Sequence, residues 1–234
     1  MDESNGLNLE YILLLLKNAW ADKTFLALEK EVSFKAETSH LHQAYSLYPN
    51  LNLTYNSAGI ILQGKTSVPV LKGLKGIAEY HAGGEIFNFA YVIRCNCGVN
   101  YFGPQSNFDA GLMSPSAPVV IFSFGYPRIF EVKRLQNNQL FRYRTNLEHG
   151  VAMVMKPPTN FRWRWSIPRA KPHEYVSCSM YVVFMKMIAP LPSGVGIPEL
   201  VRTPSSVTIC DPSNASVGRV LRSAKFRENK TGSL

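Results

Sequence analysis

The chain has 234 residues, of which 46% are hydrophobic and 12% aromatic, and its formal charge is +9. This length and apolar content can build one good-sized core with a tail, and they exclude two ordinary domains. The four cysteines are irregularly spaced, which argues against a disulfide framework and favours a reducing compartment. The run Tyr11–Leu16 is too short to span a bilayer, so we expect no membrane partner. The positive charge favours anionic partners such as nucleic acid, or only keeps the protein in solution.

The first third of the chain predicts helices around one hairpin. Residues 1–8 look loose and predict a flexible N-terminus. Apolar residues at mixed helical spacings then predict two short helices, with Asp22 as a cap between them. Residues 33–50 are polar and turn-rich and predict loops. The predicted elements are helices at Leu9–Trp20 and Lys23–Val32, a hairpin of Leu51–Tyr55 and Ile60–Gln63, and a helix at Leu71–His81.

From Phe87 onward the pattern becomes that of strands. Short apolar or alternating runs are separated by Gly, Pro and Asn at irregular intervals, which is typical of a sandwich or jelly roll. Because the predicted helices precede the strands, we expect an α+β fold with the helices on one face. The predicted strands are Phe87–Cys95, Val119–Phe124, Arg128–Lys133, Leu140–Tyr143, Val151–Met155 and Ser177–Met187.

After Ile188 the composition changes to Pro, Ser, Gly and Arg with few large apolar residues. Such a segment predicts a basic tail, largely disordered, that buries little. A short basic helix at Arg219–Lys225 is the alternative for part of it. The predicted organisation is therefore a loose segment at 1–8, one domain at 9–188 and a tail at 189–234.

Most of the positive charge lies between Arg128 and Lys171. This segment contains ten basic residues and only two acidic ones, Glu131 and Glu148. In a strand, the alternation of Phe161–Trp165 would put two arginines on one face and the aromatic rings on the other. Arginines pair with phosphates and aromatic rings stack on bases, so the segment fits a nucleic-acid interface. A solvated outer face over an aromatic core face explains the same pattern, and composition leaves both open.

Several motifs occur in the order and spacing of a known family. They are Leu53–Tyr55, Ser57–Gly59, Ile86–Phe89, Ser116–Pro118, Phe122–Gly125, Leu147–Gly150, Met153–Met155 and Trp163–Pro168. On these motifs the chain resembles the AlkB family of iron- and 2-oxoglutarate-dependent nucleic-acid demethylases, most closely its animal members that act on double-stranded DNA. The resemblance runs from about Leu9 to Ile188. It implies a double-stranded β-helix (jelly roll) with buttressing N-terminal helices.

The resemblance also assigns positions to the iron ligands, and this chain departs from the pattern at each. The family's His-x-Asp pair falls on Gln105 and Asn107, and its distant His falls on Trp165. These ligands would form the facial triad that holds Fe(II) with open positions for oxygen and 2-oxoglutarate. Neutral amides are weak iron ligands, and an indole offers only an N–H donor. We therefore expect no bound metal.

The positions implied for cosubstrate and base are altered as well. The cosubstrate contacts fall on Ile93, Cys95, Ser179 and Met185, none of which supplies the bidentate cation that a dicarboxylate needs. At the base pocket the resemblance retains Tyr55 and a shortened acid, Asp109, and places Ser57 where the family stacks a Phe. The residues predicted to contact nucleic acid are Tyr55, Asp109, Arg128, Arg142, Arg144, Arg162, Arg164, Arg169 and Lys171.

These substitutions predict a catalytically inactive AlkB-like protein without cofactor. It would bind DNA or RNA through residues 128–171, or a protein partner, for which the tail is the candidate surface. The alternative is an active Fe(II)- and 2-oxoglutarate-dependent demethylase with unusual ligation, and a third hypothesis is a decaying duplicate without function. The resemblance implies an intracellular location, in the nucleus rather than the cytoplasm.

Overall fold

A computed structural model describes residues 6–13, 18–34, 42–48, 53–57, 60–98, 100–105, 113–171 and 177–188. The predicted tail at 189–234 lies outside them. The elements are β1 (Leu9–Ile12), α1 (Asn18–Glu31), β2 (His42–Ser46), β3 (Thr54–Ser57), β4 (Ile60–Gln63), β5 (Lys65–Thr66), α2 (Pro69–His81), β6 (Phe89–Cys95), β7 (Phe102–Gln105), β8 (Val119–Gly125), β9 (Arg128–Gln136), β10 (Gln139–Leu147), β11 (Val151–Met155), α3 (Thr159–Arg162), β12 (Arg164–Ile167) and β13 (Ser179–Met185).

Two sheets face each other across the main core. The larger one has seven strands in the order β1-β11-β8-β13-β6-β2-β5, and the smaller one has four in the order β10-β9-β12-β7. A separate hairpin is formed by β3 and β4. Within the two large sheets every pairing is antiparallel except that of β2 with β5. Many neighbours in this order are distant in sequence, as in a double-stranded β-helix.

Four strands of the larger sheet, β6, β8, β11 and β13, are buried on both faces, and their side chains alternate between two cores. In β6, Tyr91 and Ile93 point between the sheets, whereas Ala90 and Val92 point towards the helices. The same alternation recurs in β8, β11 and β13. Because neither face meets water, these strands consist of almost continuous apolar residues instead of an apolar–polar alternation.

Helices α1 and α2 cover the outer face of the larger sheet. In α2 the buried side chains are Leu71, Leu74 and Ala78, whose spacing puts them on one side of the helix. In α1 the buried set includes Leu28, which is fully enclosed. Full burial of such a leucine contributes about 1.5–3 kcal/mol. The predicted α+β class, with a jelly-roll core and buttressing N-terminal helices, is confirmed.

Two local predictions in the N-terminal part are wrong. The segment predicted as a helix at Leu9–Trp20 instead begins with strand β1, in which Leu9 pairs with Met155 of β11. In the described range 18–34 that follows there is one helix, α1, and it runs from Asn18 through Asp22 without a break. Backbone pairing with the edge of β11 that is not bonded to β8 outweighs the weak helical preference of the residues in β1. Just before β1, the backbone N–H of Asn8 donates to the Thr159 hydroxyl.

Two further segments differ from the sequence-based expectation. Residues 33–50, predicted as loops, contain β2 at the edge of β6. In the stretch Phe161–Trp165 the strand begins only at Arg164, and Arg162 lies at the end of α3. The predicted alternation therefore holds for Arg164 and Trp165 but not for Arg162. Among the helices of the described ranges, none combines the length and apolarity needed to cross a membrane.

Candidate functional site

The positions implied for two of the iron ligands lie opposite each other in the smaller sheet. Trp165 of β12 is the register partner of Gln105 in β7. This pairing brings together two chain segments that are 60 residues apart in sequence (165 − 105). The backbone of Gln105 is described but its side chain is not, and Asn107 lies outside the described ranges.

Aromatic rings occupy the space around Trp165. Its side chain is 1% exposed and belongs to the core between the sheets. The ring stacks on Phe102, with centroids 4.7 Å apart and planes at 27°, and on Phe130 at 5.9 Å and 30°. Tyr91 adds a tilted contact to Phe102 at 6.1 Å. Each aromatic pair contributes about 0.5–1.5 kcal/mol beyond area burial, so the stack is a packed part of the core.

The four positions implied for the cosubstrate lie on two paired strands of the larger sheet. Cys95 of β6 is the register partner of Ser179 of β13, while Ile93 and Met185 lie further along the same two strands. All four side chains are buried. Burial raises the pKa of the Cys95 thiol to about 12, so this group stays protonated. The Ser179 hydroxyl donates to the carbonyl of Tyr126 at 2.9 Å.

These residues do not fit Fe(II) or 2-oxoglutarate. The Trp165 indole cannot ligate a metal, and none of the four buried side chains at the implied cosubstrate positions is a cation. In the part of the chain that the structure describes, no group of three His, Cys, Asp or Glu side chains is placed to share a metal ion.

Arg128 has a different position from the one expected of a nucleic-acid contact. It is 4% exposed, and its guanidinium donates to three backbone carbonyls. The acceptors are Cys97 at 3.3 Å, Asn100 at 3.0 Å and Pro168 at 2.8 Å. These bonds tie the turn after β6 to the segment after β12. We therefore leave Arg128 out of the candidate surface.

A cluster of basic side chains lies on the outer face of the smaller sheet. In the register, Lys133 of β9 stands between Arg142 of β10 and Arg164 of β12. The next rung, two residues along, places Glu131 between Arg144 and Ser166. Paired residues share a face of the sheet, and their inner neighbours Val132 and Trp165 point into the core. We call Lys133, Arg142, Arg144 and Arg164 the outer basic cluster.

Glu131 organises the outer basic cluster. Its side chain is 2% exposed and forms ion pairs with Lys133, with Arg142 at 3.4 Å and with Arg144 at 2.5 Å. Burial alone would raise the pKa of this carboxyl group, but the hydrogen bonds from Lys133 and Arg144 outweigh it and lower the pKa. Three cations thus enclose one carboxylate, which leaves an excess of two positive charges within this group, and Arg164 lies beside it in register with Lys133.

The remaining predicted contacts are spread around the smaller sheet. Arg162 and Arg169 lie beyond the two ends of β12, with their guanidinium carbons 5.8 Å from the Phe161 ring and 5.2 Å from the Tyr101 ring, respectively. Lys171 is exposed. The strand that contains Tyr55 is described without its side chain, and Asp109 lies outside the described ranges.

Three residues on the outer face of the smaller sheet do not stand out in the sequence. The sequence indicates Lys133 only as part of the charge excess, and it does not single out Leu135 and Leu140, which the structure shows to be exposed. A signal for the hairpin was present, since Asn137 and Asn138 separate two alternating runs. Both asparagines adopt positive φ, 51° and 61°, as a tight two-residue hairpin turn requires.

Comparison with known proteins identifies relatives of the whole domain. The DNA oxidative demethylase ALKBH2 of Mus musculus is 32% identical over 185 residues, which cover 72% of this chain and 76% of that protein. The DNA oxidative demethylase ALKBH2 of Bos taurus is 29% identical over 184 residues, which cover 72% of this chain and 65% of that protein. No family model matches the chain.

Two solved structures share the fold at low sequence identity. The structure of OsALKBH1 has a TM-score of 0.55 and 12% identity, and it covers 77% of this chain and 97% of its own. A 2OG-Fe(II) oxygenase family oxidoreductase from Burkholderia pseudomallei has a TM-score of 0.50 and 9% identity, with coverages of 78% and 84%. The fold and the level of identity to the mouse protein together show that the chain belongs to the AlkB family.

Proposed function

We propose that this AlkB-family chain is a catalytically inactive protein that binds nucleic acid through the outer basic cluster. Strand β12 carries the observation on which the proposal rests. Its Trp165 fills the interior at the position implied for an iron ligand, while its neighbour Arg164 faces outward in register with Lys133. One strand thus contributes a packed ring to the core and a cation to the surface.

The proposed inactivity follows from the chemistry of the buried side chains. Binding Fe(II) at the implied position would require a nitrogen or oxygen donor, and the Trp165 ring offers none. Displacing the ring would also expose the faces of Phe102 and Phe130, which it now covers. The alternative is an active demethylase, and it is supported by the relatives that are named DNA oxidative demethylases.

Measurements of bound metal and of 2-oxoglutarate turnover decide between the inactive protein and the active demethylase. The full chain is purified, loaded with Fe(II) and 2-oxoglutarate, and assayed for bound iron and for succinate release on alkylated DNA. We expect substoichiometric iron and no succinate above the background without protein. Stoichiometric iron together with substrate-dependent succinate release would establish the active demethylase instead.

The proposed binding follows from the charge and geometry of the cluster. Arginine and lysine side chains contact phosphates without regard to sequence, and this attraction weakens steeply with salt. Arg142 and Arg164 flank Lys133 on both sides, so the cations extend across three strands, or about 10 Å. Such a track can follow a phosphodiester backbone.

A double substitution tests this surface. The variant R142A/R164A keeps Lys133 and Arg144 as partners of Glu131, so the buried carboxylate remains paired. The control K30A/K72A removes the same charge from exposed positions on the two helices. Fluorescence anisotropy with labelled oligonucleotides is recorded from about 50 to 200 mM salt, the range over which phosphate contacts lose much of their strength.

We expect the cluster variant to bind more weakly and to lower the salt slope by about two, one for each phosphate contact removed. The control should bind like the native protein. Equal losses in both variants would assign the attraction to net charge alone. Absence of binding by the native protein at the lowest salt would remove the nucleic-acid proposal and leave the protein-interaction version.

Two finer proposals concern cellular context. The DNA-directed names of the relatives support a nuclear location for this chain, which imaging of a tagged full-length protein would test. A protein partner would engage residues 189–234, outside the described ranges. Comparing proteins captured from nuclear extract by the full chain and by a chain ending at Ile188 would test that role.

A further inference from the structure

The β9–β10 hairpin ends in a pair of exposed leucines. Leu135 and Leu140 are direct register partners on either side of the turn at Asn137 and Asn138. They are 70% and 53% exposed. An isolated exposed leucine is ordinary, but two that face each other at the tip of a long hairpin form one apolar surface.

This apolar pair and the outer basic cluster lie on the same face of the sheet. Side chains two residues apart in a strand point the same way, so Leu135 follows Lys133, and Leu140 precedes Arg142. The tip therefore lies about 7 Å beyond the row formed by Arg142, Lys133 and Arg164. Moving from the tip towards the body of the sheet, the face presents two leucines, three cations and then the Glu131 rung.

We propose that the leucine pair contacts the faces of unpaired bases while the outer basic cluster holds the adjoining phosphates. The proposal rests on the proposed function and adds its ligand class, which is single-stranded or locally opened nucleic acid in preference to an intact duplex. Cations alone cannot make this distinction, since both forms present phosphates. The preference for single strands over duplexes would come from the two leucines at the tip.

The physical basis is the accessibility of base faces. In an intact duplex each base face is covered by its stacked neighbours, so the leucines gain no contact there. In a single strand or a bulge a base face is open to water, and an apolar side chain that covers it gains contact energy. The fixed distance between the tip and the cation row allows both contacts at once on one short segment of strand.

Charge complementarity favours nucleic acid over other occupants of this face. Three cations, Lys133, Arg142 and Arg144, pair with the one carboxylate of Glu131, and the resulting excess of positive charge calls for an anionic partner. The cations of the outer basic cluster also form a row that extends from β10 across β9 to β12, away from the tip. A polyanionic chain contacts the whole row, whereas an anionic membrane entered by the tip would contact mainly the cations nearest to it.

The test replaces both leucines and leaves the charges unchanged. The variant L135T/L140T keeps residues that favour strands, so the hairpin is retained. The control L26Q/I86T removes two leucine-sized exposed side chains, 62% and 57% accessible, from the helix-covered side of the molecule. Both variants are first required to match the native circular dichroism and melting temperature to within about 3 °C, a shift of roughly 1 kcal/mol for a chain of this size.

Anisotropy is then measured with a single strand, a perfect duplex and a duplex containing unpaired bases, together with sedimentation on vesicles containing anionic lipid. We expect L135T/L140T to lose about five- to tenfold in affinity for the single strand and the opened duplex. Its affinity for the perfect duplex should change less than about twofold, its salt slope should not change, and the control should bind like the native protein.

Other outcomes overturn the inference and separate it from the proposed function. If the native protein binds the three nucleic acids but the leucine variant loses nothing, or loses equally on all three, only the role of the tip is wrong. If the native protein binds no nucleic acid, the proposed function fails as well. Leucine-dependent binding to vesicles without binding to oligonucleotides would assign the face to a membrane surface and overturn both.

Discussion

The inner and outer faces of the four-stranded sheet differ sharply in what they can do. On the inner face, Trp165, Phe102 and Phe130 form a stack closed to water. On the outer face, Arg164 and Lys133 stand beside each other in register, within reach of solvent. Both faces come from the same strands, because side chains alternate at every residue.

This contrast separates what the packing of the core requires from what the surface can bind. A jelly-roll interior is stable when it is densely packed, and an aromatic stack meets that requirement. The outer face bears no such packing requirement, so charge can accumulate there at little cost in stability. The comparison predicts that substitutions on the inner face change stability, whereas those on the outer face change binding.

The largest expected effect is on the inner face. Replacing Trp165 with Ala should lower the free energy of unfolding by about 3–5 kcal/mol, because it leaves a cavity between two rings that cannot close it. Urea denaturation of W165A measures the loss, with W165F as a control that preserves an aromatic ring. The adjacent R164A should change stability by less than about 0.5 kcal/mol. Equal losses in W165A and R164A would contradict the contrast between the two faces.

The second prediction concerns Arg128, a cation of the same basic segment that lies inside. The R128M variant retains the length of the side chain but leaves the carbonyls of Cys97, Asn100 and Pro168 without their donor. Unsatisfied buried carbonyls cost about 1–3 kcal/mol each, and partial access to water reduces the total, so we expect a loss of about 2–4 kcal/mol. Thermal denaturation measures this loss.

Binding provides the other half of this test. At a temperature where R128M is folded, its affinity for oligonucleotides should equal that of the native protein, although its charge is lower by one. The variant R142A/R164A should show the converse, with weaker binding and unchanged stability. Reduced binding by folded R128M would return Arg128 to the candidate surface.

The sequence predicts the interior of this fold better than its edges. The apolar runs at Phe89–Cys95 and Val151–Met155 are almost uninterrupted and are bounded by turn residues, so local pattern alone identifies them. Strand β1 could not be identified in this way, because its structure depends on Met155 and its neighbours, which lie far away in sequence. A four-residue segment carries too little pattern to distinguish an edge strand from a helix.

At the candidate site, the sequence is equally limited in predicting which charged residues are exposed. The sequence gives the number of basic residues between Arg128 and Lys171, but not which of them face water. Arg128 is buried because three carbonyls from two separate loops converge on it, and Glu131 is buried because three cations on two strands enclose it. Neither environment follows from local alternation, since each depends on the register between strands.

The smallest expected effect concerns Glu131, which lies on the outer face but is buried beneath its cationic partners. Because its cationic partners are partly exposed, they remain hydrated when the carboxylate is removed, so E131Q should lose only about 1–2 kcal/mol near pH 7. The folded-state pKa of Glu131 is lowered, so its stabilisation is present above the unfolded pKa of about 4.3 and is lost as pH falls through the folded value. The difference in melting temperature between native protein and E131Q should therefore be constant from about pH 7 to pH 5 and shrink below pH 4. A difference that persists unchanged to about pH 2 would show that the charge of Glu131 contributes nothing, whereas its disappearance in acid ties the outer basic cluster to this single carboxylate.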